Sequence, residues 1–254
     1  MEQTIILEIL EAYKTKESVK SICKRFAIST NTLSKYVDEA NIPKRAKKQQ
    51  IKKDLSKFKD LDNPELQYWI GYICADGSIQ YSTEKRVYKV SLYSKDDEVV
   101  EKFKDFFGEI VSIHDRKNSN MKEAYINSKE LCEYFINELN ITPSKAFTIM
   151  PNIEFSSNFI LGYFDGDGCI TNSTGERIRY EAKFTSGNKD FLLKIQDKLN
   201  EVNIYSSFRE KGNAFDLCID RREESEKLYK FLYKDVVVCL SRKLNNFVAL
   251  FGNL

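Results

Sequence analysis

The sequence is poor in the residues that build metal clusters and disulfide frameworks. Its 254 residues include one histidine, His114, and six cysteines that never form a C-x-x-C pair. We therefore expect neither a zinc site nor a disulfide scaffold. We expect a reducing, cytoplasmic compartment. No apolar run reaches the about 18 residues of a membrane span, and no basic-then-apolar leader opens the chain. Secretion and membrane insertion are not expected.

Positive charge is concentrated near the N terminus. Residues 1–60 carry 14 Lys and Arg against 8 Asp and Glu, whereas residues 61–254 carry 26 against 30. The small net charge of +2 therefore hides a basic first segment and a mildly acidic remainder. A basic segment is the electrostatic candidate for contact with a phosphate backbone.

Apolar residues recur at helical spacing three times between residues 5 and 42, which predicts three short helices. A tight turn at Ala27-Ile28 precedes the third helix, which Ser29 or Thr30 can cap. Two short helices joined by such a turn resemble a helix-turn-helix. We assign residues 1–43 to a DNA-binding domain of this kind and 44–62 to a basic linker; a plain packing bundle is the alternative. The candidate DNA contacts here are Asn31, Thr32, Lys35, Lys44, Arg45, Lys47 and Lys48.

Two segments repeat one unusual pattern, with their glycines 91 positions apart. Trp69–Gly77 and Ile160–Gly168 each read as an apolar helix followed at once by Asp-Gly. Small residues four positions apart share one helix face and allow two backbones to approach closely. These are Gly71 and Ala75 in the first segment, and Gly162 and Gly166 in the second.

If the two helices pack together, Asp76 and Asp167 arrive side by side at their C-termini. Two carboxylates there repel each other and the negative ends of the helix dipoles. Divalent cations relieve such repulsion, and cations held between carboxylates suggest phosphodiester chemistry. We expect Mg²⁺ here, replaceable in binding by Mn²⁺ or Ca²⁺, with the carbonyls of Ala75 and Gly166 as further ligands.

The sequence that follows each motif is also duplicated. Alternating residues such as Tyr88–Tyr93 predict strands, and each half runs in the order α-β-β-α-β-β-α. We assign residues 63–148 to the first half and 149–254 to the second. The fold class is therefore α+β, with a small all-α domain at the N terminus.

These paired motifs resemble the LAGLIDADG motifs of homing endonucleases in their single-chain, two-motif form. The matching residues are Gly71, Ala75, Asp76 and Gly77 in one copy, and Gly162, Asp165, Asp167 and Gly168 in the other. The first copy departs from the pattern at its sixth position, where Cys74 stands in place of Asp165. The resemblance covers about residues 63–254.

The resemblance implies a monomeric, pseudo-twofold saddle whose two sheets straddle double-stranded DNA. It also implies that Asp76 and Asp167 bind metal at the central minor groove and each direct hydrolysis of one strand. The product is then a staggered double-strand break in a long asymmetric target. The alternative on the same scaffold is a non-cleaving transcription regulator or an RNA-splicing maturase.

Further residues are expected around this site. The ends of the fourth strands place Lys129 and Arg221, or Arg222, as basic candidates for stabilising the transition state. Asp96 and Asn188, paired by the repeat, either line the same pocket or cap helices. The polar strand faces and hairpin tips are expected to contact DNA through Lys85, Arg86, Lys89, Ser91, Tyr93, Arg116, Lys117, Arg177, Arg179, Lys183, Arg209 and Lys211.

Overall fold

The computed structural model describes residues 3–15, 17–44, 54–116, 119–171 and 180–254. The chain divides into one unit of residues 1–52 and a second of residues 53–254. Within the described ranges, no helix combines the length and the apolar character needed to cross a membrane.

The first unit consists of three helices, α1 (Gln3–Lys14), α2 (Val19–Arg25) and α3 (Thr30–Glu39). The hydroxyls of Ser18 and Ser29 accept hydrogen bonds from backbone amides three residues on, so each serine caps the helix that follows it. The unit has its own apolar core, formed by Ile9, Leu10, Ala12, Tyr13, Ile22, Leu33 and Val37.

The second unit contains two copies of the same order of elements, as the repeat predicts. The first copy is α4 (Pro64–Asp76), β1 (Gly77–Ser82), β2 (Val87–Ser94), α5 (Asp97–Phe107), β3 (Ser112–Asp115), β4 (Lys122–Asn127) and α6 (Lys129–Asn137). The second is α7 (Ser157–Asp167), β5 (Gly168–Ile170), β6 (Ala182–Ser186), α8 (Lys189–Glu201), β7 (Ser207–Lys211), β8 (Ala214–Ile219) and α9 (Arg222–Tyr233). A further helix, α10 (Ser241–Phe251), follows the second copy and was not expected from the sequence.

Each copy forms a four-stranded antiparallel sheet. The strand orders are β1-β2-β4-β3 and β5-β6-β8-β7, so the two sheets have the same topology. In β2, Val90 and Leu92 are fully buried, while Lys89 and Tyr93 lie on the opposite face. The α+β fold class is confirmed, with two equivalent halves in one unit.

The two motif helices start and stop at residues that the sequence marks clearly. Asn63 accepts hydrogen bonds from the amides of Glu65 and Leu66, and Pro64 occupies the first helical position. At the other end the chain passes directly from helix into strand at Gly77, where a Cβ atom would lie 2.4 Å from the carbonyl oxygen of Ile73. Only glycine fits that turn, which fixes where Asp76 emerges.

Helices α4 and α7 approach until backbone touches backbone. A Cβ atom on Gly71 would lie 2.1 Å from the carbonyl oxygen of Phe159, and one on Gly162 would lie 1.9 Å from that of Tyr68. A Cβ atom on Gly166 would lie 2.3 Å from the Cβ of Ala75. The small residues of both motifs therefore form the contact that joins the halves.

We expect Gly162→Ala to destabilise the second unit by about 3 kcal/mol or more, because the methyl group can enter only by forcing the helices apart. Gly212→Ala is the comparison: its Cβ would meet open space, and its positive φ of 58° costs about 1–2 kcal/mol. Urea unfolding followed by circular dichroism measures both. Equal stability of Gly162→Ala and the unaltered protein would contradict the close helix contact.

Candidate active site

The C-termini of α4 and α7 carry Asp76 and Asp167 at the point where the helices meet. Gly166 packs on Ala75 and on the backbone nitrogen of Asp76, which brings the two carboxylates into one electrostatic environment. Within the described part of the chain, no hydrogen bond or ion pair reaches either carboxylate. Two acidic groups are therefore held together with their oxygens available.

The surroundings raise the pKa of both carboxyls. Loss of hydration is the main cause for Asp76. For Asp167 the same cause, followed by repulsion from Asp76, raises the pKa to about 6. Asp167 nevertheless remains exposed to solvent. Such a pair gains stability when a cation enters.

Two lysines that the sequence reasoning missed complete the site. The Nζ of Lys145 donates to the carbonyls of Cys74 and Ala75, at 2.6 and 3.0 Å. The Nζ of Lys243 donates to the carbonyls of Asp165, Gly166 and Gly168 at 2.8, 3.4 and 2.7 Å, and to that of Phe164. The carbonyls of Cys74, Ala75, Asp165 and Gly166 are among those that the end of a helix leaves unpaired, and the two ammonium groups satisfy them.

Burial lowers the pKa of both lysines, and for Lys243 the value falls to about 8. The nearby carboxylates, Asp76 among them, act against this and favour the charged form. The charges of both lysines in turn act to lower the pKa of Asp76 and of Asp167. The four groups thus form one electrostatic cluster.

Each lysine lies on a segment that follows the last helix of its own copy, α6 or α9, and contacts the other copy. Lys145 begins a short 3₁₀ turn, and Ile149 just beyond it accepts a hydrogen bond from Asn188 of the second half at 2.8 Å. Lys243 lies in the first turn of α10, and the Ser241 amide donates to Glu98 of the first half at 2.8 Å. These crossed segments hold the lysines against the helix ends.

The sequence carried unequal signals for these lysines. Leu244, Phe247, Val248 and Phe251 are spaced for a helix, and that stripe could have located α10. Lys145 follows Ser144 in a left-handed turn and has no periodic neighbours, so no local pattern marks it. The two lysines are 98 positions apart, whereas the motifs are 91 apart, so an alignment of the two halves on their motifs does not pair the lysines.

The sixth motif position differs between the halves in its contacts as well as in its chemistry. Asp165 is buried, and its Oδ2 accepts from the hydroxyl of Tyr68 at 3.0 Å and from the amide of Leu240 at 2.7 Å. Burial raises its pKa to about 7. Cys74 is equally buried, and burial raises the pKa of its thiol to about 12. In the second half the side chain at this position therefore anchors the lysine segment, whereas in the first half the contact runs through the backbone carbonyl of Cys74.

The donor set fits a hard divalent cation. Among the described residues, no group of three or more His, Cys, Asp or Glu side chains is placed so that it could hold a metal ion by itself. Magnesium commonly takes one or two carboxylates and completes its shell with water and phosphate. The carbonyls of Ala75 and Gly166 already accept from lysines, but a carbonyl oxygen has a second lone pair.

The basic candidates at the strand ends lie elsewhere. The ammonium of Lys129 is 3.4 Å from Glu133 and 6.0 Å from the centre of the Tyr88 ring, with half of its side chain exposed. Arg221 is exposed at the start of α9, and Arg222 lies over the ring of Tyr180. Among the described contacts, none joins Lys129, Arg221 or Arg222 to the motif carbonyls. Those carbonyls accept from Lys145 and Lys243 instead.

Asp96 and Asn188 occupy corresponding places but behave differently. Asn188 caps α8 through the amide of Asp190. Asp96 makes no capping bond with its side chain and pairs with Arg242 at 3.0 Å. The capping interpretation therefore holds for Asn188 alone, and Asp96 ties the α10 segment to the first half.

Several residues expected to contact DNA are already engaged within the sheets. Ser91 is fully buried and its hydroxyl donates to Glu123, so Ser91 supports that carboxylate and does not itself face solvent. Lys89 pairs with Glu123 and Lys183 with Asp216. Arg209 pairs with both Glu181 and Asp220.

Other candidates are more accessible. The guanidinium of Arg116 lies 5.0 Å from the centre of the Tyr93 ring. Lys85 and Arg86 occupy the turn between β1 and β2, and Lys211 is exposed at the end of β7. In the first unit, Asn31 and Lys35 are exposed on α3, Thr32 bonds Ser29, and Lys44 pairs with Asp38. Outside the described residues lie Arg45, Lys47, Lys48, Lys117, Arg177 and Arg179.

Two αββαββα halves that each deliver one acidic residue to a shared helix interface define a duplicated, pseudo-symmetric class of protein. A model of the LAGLIDADG-like domain matches residues 63–140 and again residues 154–234. The chain therefore belongs to the LAGLIDADG family and carries two copies of the domain.

Solved structures share this fold. The LAGLIDADG meganuclease I-AabMI bound to uncleaved DNA is 17% identical with a TM-score of 0.53, covering 74% of this chain and 90% of that chain. I-DmoI in complex with DNA and Mn is 18% identical with a TM-score of 0.50, covering 67% and 97%. At these identities the likeness concerns the fold.

A curated relative is the DNA-directed RNA polymerase subunit Rpo1C of Methanocaldococcus jannaschii. It is 31% identical over 166 residues, which is 62% of this chain. The chain spans only 18% of the length of that subunit, so the match concerns a small part of a longer protein.

Proposed function

We propose that this chain is a site-specific DNA endonuclease that acts as a monomer and makes a staggered double-strand break. The observation that carries the proposal is the pair Asp76 and Asp167, held together without a hydrogen-bonded partner among the described residues. A protein that only binds DNA gains nothing from two repelling carboxylates at a helix interface. Family membership and DNA-bound structural neighbours, one with Mn, support the same function.

In this proposal Asp76 and Asp167 hold divalent cations, with Mg²⁺ as the physiological choice. When bound, such a cation supplies Lewis-acid activation of the phosphodiester and lowers the pKa of water. Each aspartate then directs hydrolysis of one strand. The Gly71 and Gly162 contact sets the spacing of the two carboxylates and hence the stagger between the two cuts.

Lys145 and Lys243 are proposed to take the role that the sequence suggested for Lys129 and Arg221. Their ammonium groups lie on the helix ends that carry the aspartates. There they can stabilise negative charge that develops on the phosphate. They also hold the carbonyls that would otherwise repel the substrate.

The first experiment is cleavage of a randomised duplex library in Mg²⁺, with sequencing of the product ends. Recovery of one long asymmetric site with a fixed stagger supports the endonuclease. Selective binding without product would instead favour a regulator on the same scaffold.

On the recovered target, we expect Asp76→Asn and Asp167→Asn each to abolish double-strand cleavage while leaving binding largely intact. Each variant loses one carboxylate, so the other strand can still be nicked. Strand-specific end labels and a filter-binding assay measure the two properties. Asp197→Asn, an exposed aspartate on α8, is the matched control. Normal double-strand cutting by either motif variant would overturn the assignment.

We expect Lys145→Met and Lys243→Met each to slow cleavage by about 100-fold or more, because each removes a positive charge beside the reacting phosphate. Lys129→Met, whose ammonium lies on Glu133, should cut at close to the normal rate. Single-turnover cleavage rates make the comparison, and thermal unfolding checks that each variant is folded. A slow Lys129→Met with normal Lys145 and Lys243 variants would restore the strand-end assignment.

The first unit is proposed to add DNA contacts through α3, the second helix of the predicted helix-turn-helix. Asn31 and Lys35 are exposed on this helix, while Leu33 and Val37 are buried in the core of the unit. A polar outer face on a short capped helix suits the major groove.

Lys35→Ala should therefore weaken binding and reduce the salt slope of the binding constant by about 1, as loss of one phosphate contact does. Lys14→Ala on α1 is the control, since both lysines are exposed and pair with a glutamate on their own helix. Affinity is measured across a series of salt concentrations. Equal effects of the two substitutions would argue against α3 as the recognition helix.

A further inference from the structure

Each sheet carries one carboxylate at an equivalent place on its polar face. Glu123 of β4 lies opposite Tyr93 of β2, and Asp216 of β8 lies opposite Thr185 of β6. Tyr93 and Thr185 are themselves equivalent, because each immediately precedes the serine that ends its strand. The two carboxylates are thus related by the internal repeat.

Each carboxylate accepts from one ammonium and one hydroxyl of the neighbouring strand, which together clamp it, although Lys89 stands four residues before Tyr93 and Lys183 two residues before Thr185. Glu123 accepts from Lys89 at 2.5 Å and from Ser91 at 2.9 Å. Asp216 accepts from Thr185 at 2.7 Å and from Lys183 at 3.4 Å. Although burial acts to raise it, the bonds from Lys89 and Ser91 lower the pKa of Glu123, so this carboxylate stays charged.

A fixed negative charge is unfavourable on a surface that faces phosphates, unless it meets a hydrogen-bond donor. In the major groove, cytosine offers its N4 amino group to Glu or Asp, and guanine accepts from Lys at O6 and N7. A lysine and a carboxylate held side by side therefore match the two bases of one G·C pair. The small exposed fractions of Glu123 and Asp216, 14% and 9% of the side chains, suit a single amino group.

Resting on the proposed function, we propose that each clamp reads one G·C pair, with Glu123 or Asp216 on cytosine and Lys89 or Lys183 on guanine. Because the two carboxylates are related by the repeat, the two cytosines lie at equal distances on either side of the centre of the target. A long and otherwise asymmetric site thus contains one symmetric feature.

The test is selection of duplexes from a random library in Ca²⁺, where bound DNA is recovered and sequenced. The unaltered protein should enrich G·C at two positions equidistant from the centre. Glu123→Gln should reduce the preference for cytosine by about tenfold at one position, and Asp216→Asn at the other. Because Gln and Asn suit adenine, the preferred base should shift toward adenine.

Glu226→Gln is the matched control, because Glu226 pairs with Lys230 at 2.7 Å on α9, away from the sheets. It should leave every base preference unchanged. Lys89→Met and Lys183→Met provide a second pair of variants and should relax the choice of guanine at the same two positions. Thermal unfolding confirms that each protein used is folded.

If Glu123→Gln and Asp216→Asn bind all duplexes more tightly but keep the base preferences of the unaltered protein, the proposal is overturned. The carboxylates would then act only through their overall charge. A loss of preference at the same position in both carboxylate variants would also overturn it. Selection in Ca²⁺ does not depend on cleavage. A protein that selects the two G·C pairs but never cuts would refute the endonuclease and support the clamps, and a protein that retains no duplex would refute both.

Discussion

The contact between α4 and α7 is the constraint on which the rest of the second unit depends. The missing Cβ atoms of Gly71 and Gly162 let each backbone lie against the carbonyl of the other helix. This contact joins the two halves and directs two helix C-termini to one point. It also creates an electrostatic difficulty, because unpaired carbonyls, dipole ends and two carboxylates all place negative charge there.

The chain meets that difficulty with Lys145 and Lys243, which bond to the carbonyls and not to the carboxylates. This division matters, because a lysine paired directly with Asp76 or Asp167 would compete with a metal for the same oxygens. Carbonyl contacts keep the ammonium close, cancel the dipole ends and leave the carboxylates available. The crossed segments that carry the lysines also tie each half to the other, so the packing of the halves and the charge balance of the site are coupled.

The fold could be read from the sequence to the extent that its signals are local or repeated. The small residues of the motifs, the Asn63-Pro64 helix start and the alternation of Val90 and Leu92 each act over a few residues. Lys145 and Lys243 could not be placed in this way, because their partners lie 70 or more residues away in the chain. The same limit applies to Ser91, whose position in the strand suggested exposure. Its burial depends on Glu123 from β4, and no pattern within β2 contains that information.

Duplication within one chain allows the halves to differ where a symmetric dimer could not. The Asp165 side chain accepts from the Leu240 amide just before α10, while Cys74 holds its lysine segment through its backbone carbonyl. Lys243 accordingly bonds to four carbonyls and Lys145 to two. The two halves therefore present their aspartates on helix ends with different hydrogen bonding. In the proposed endonuclease, each strand of an asymmetric target would therefore meet a half with different contacts.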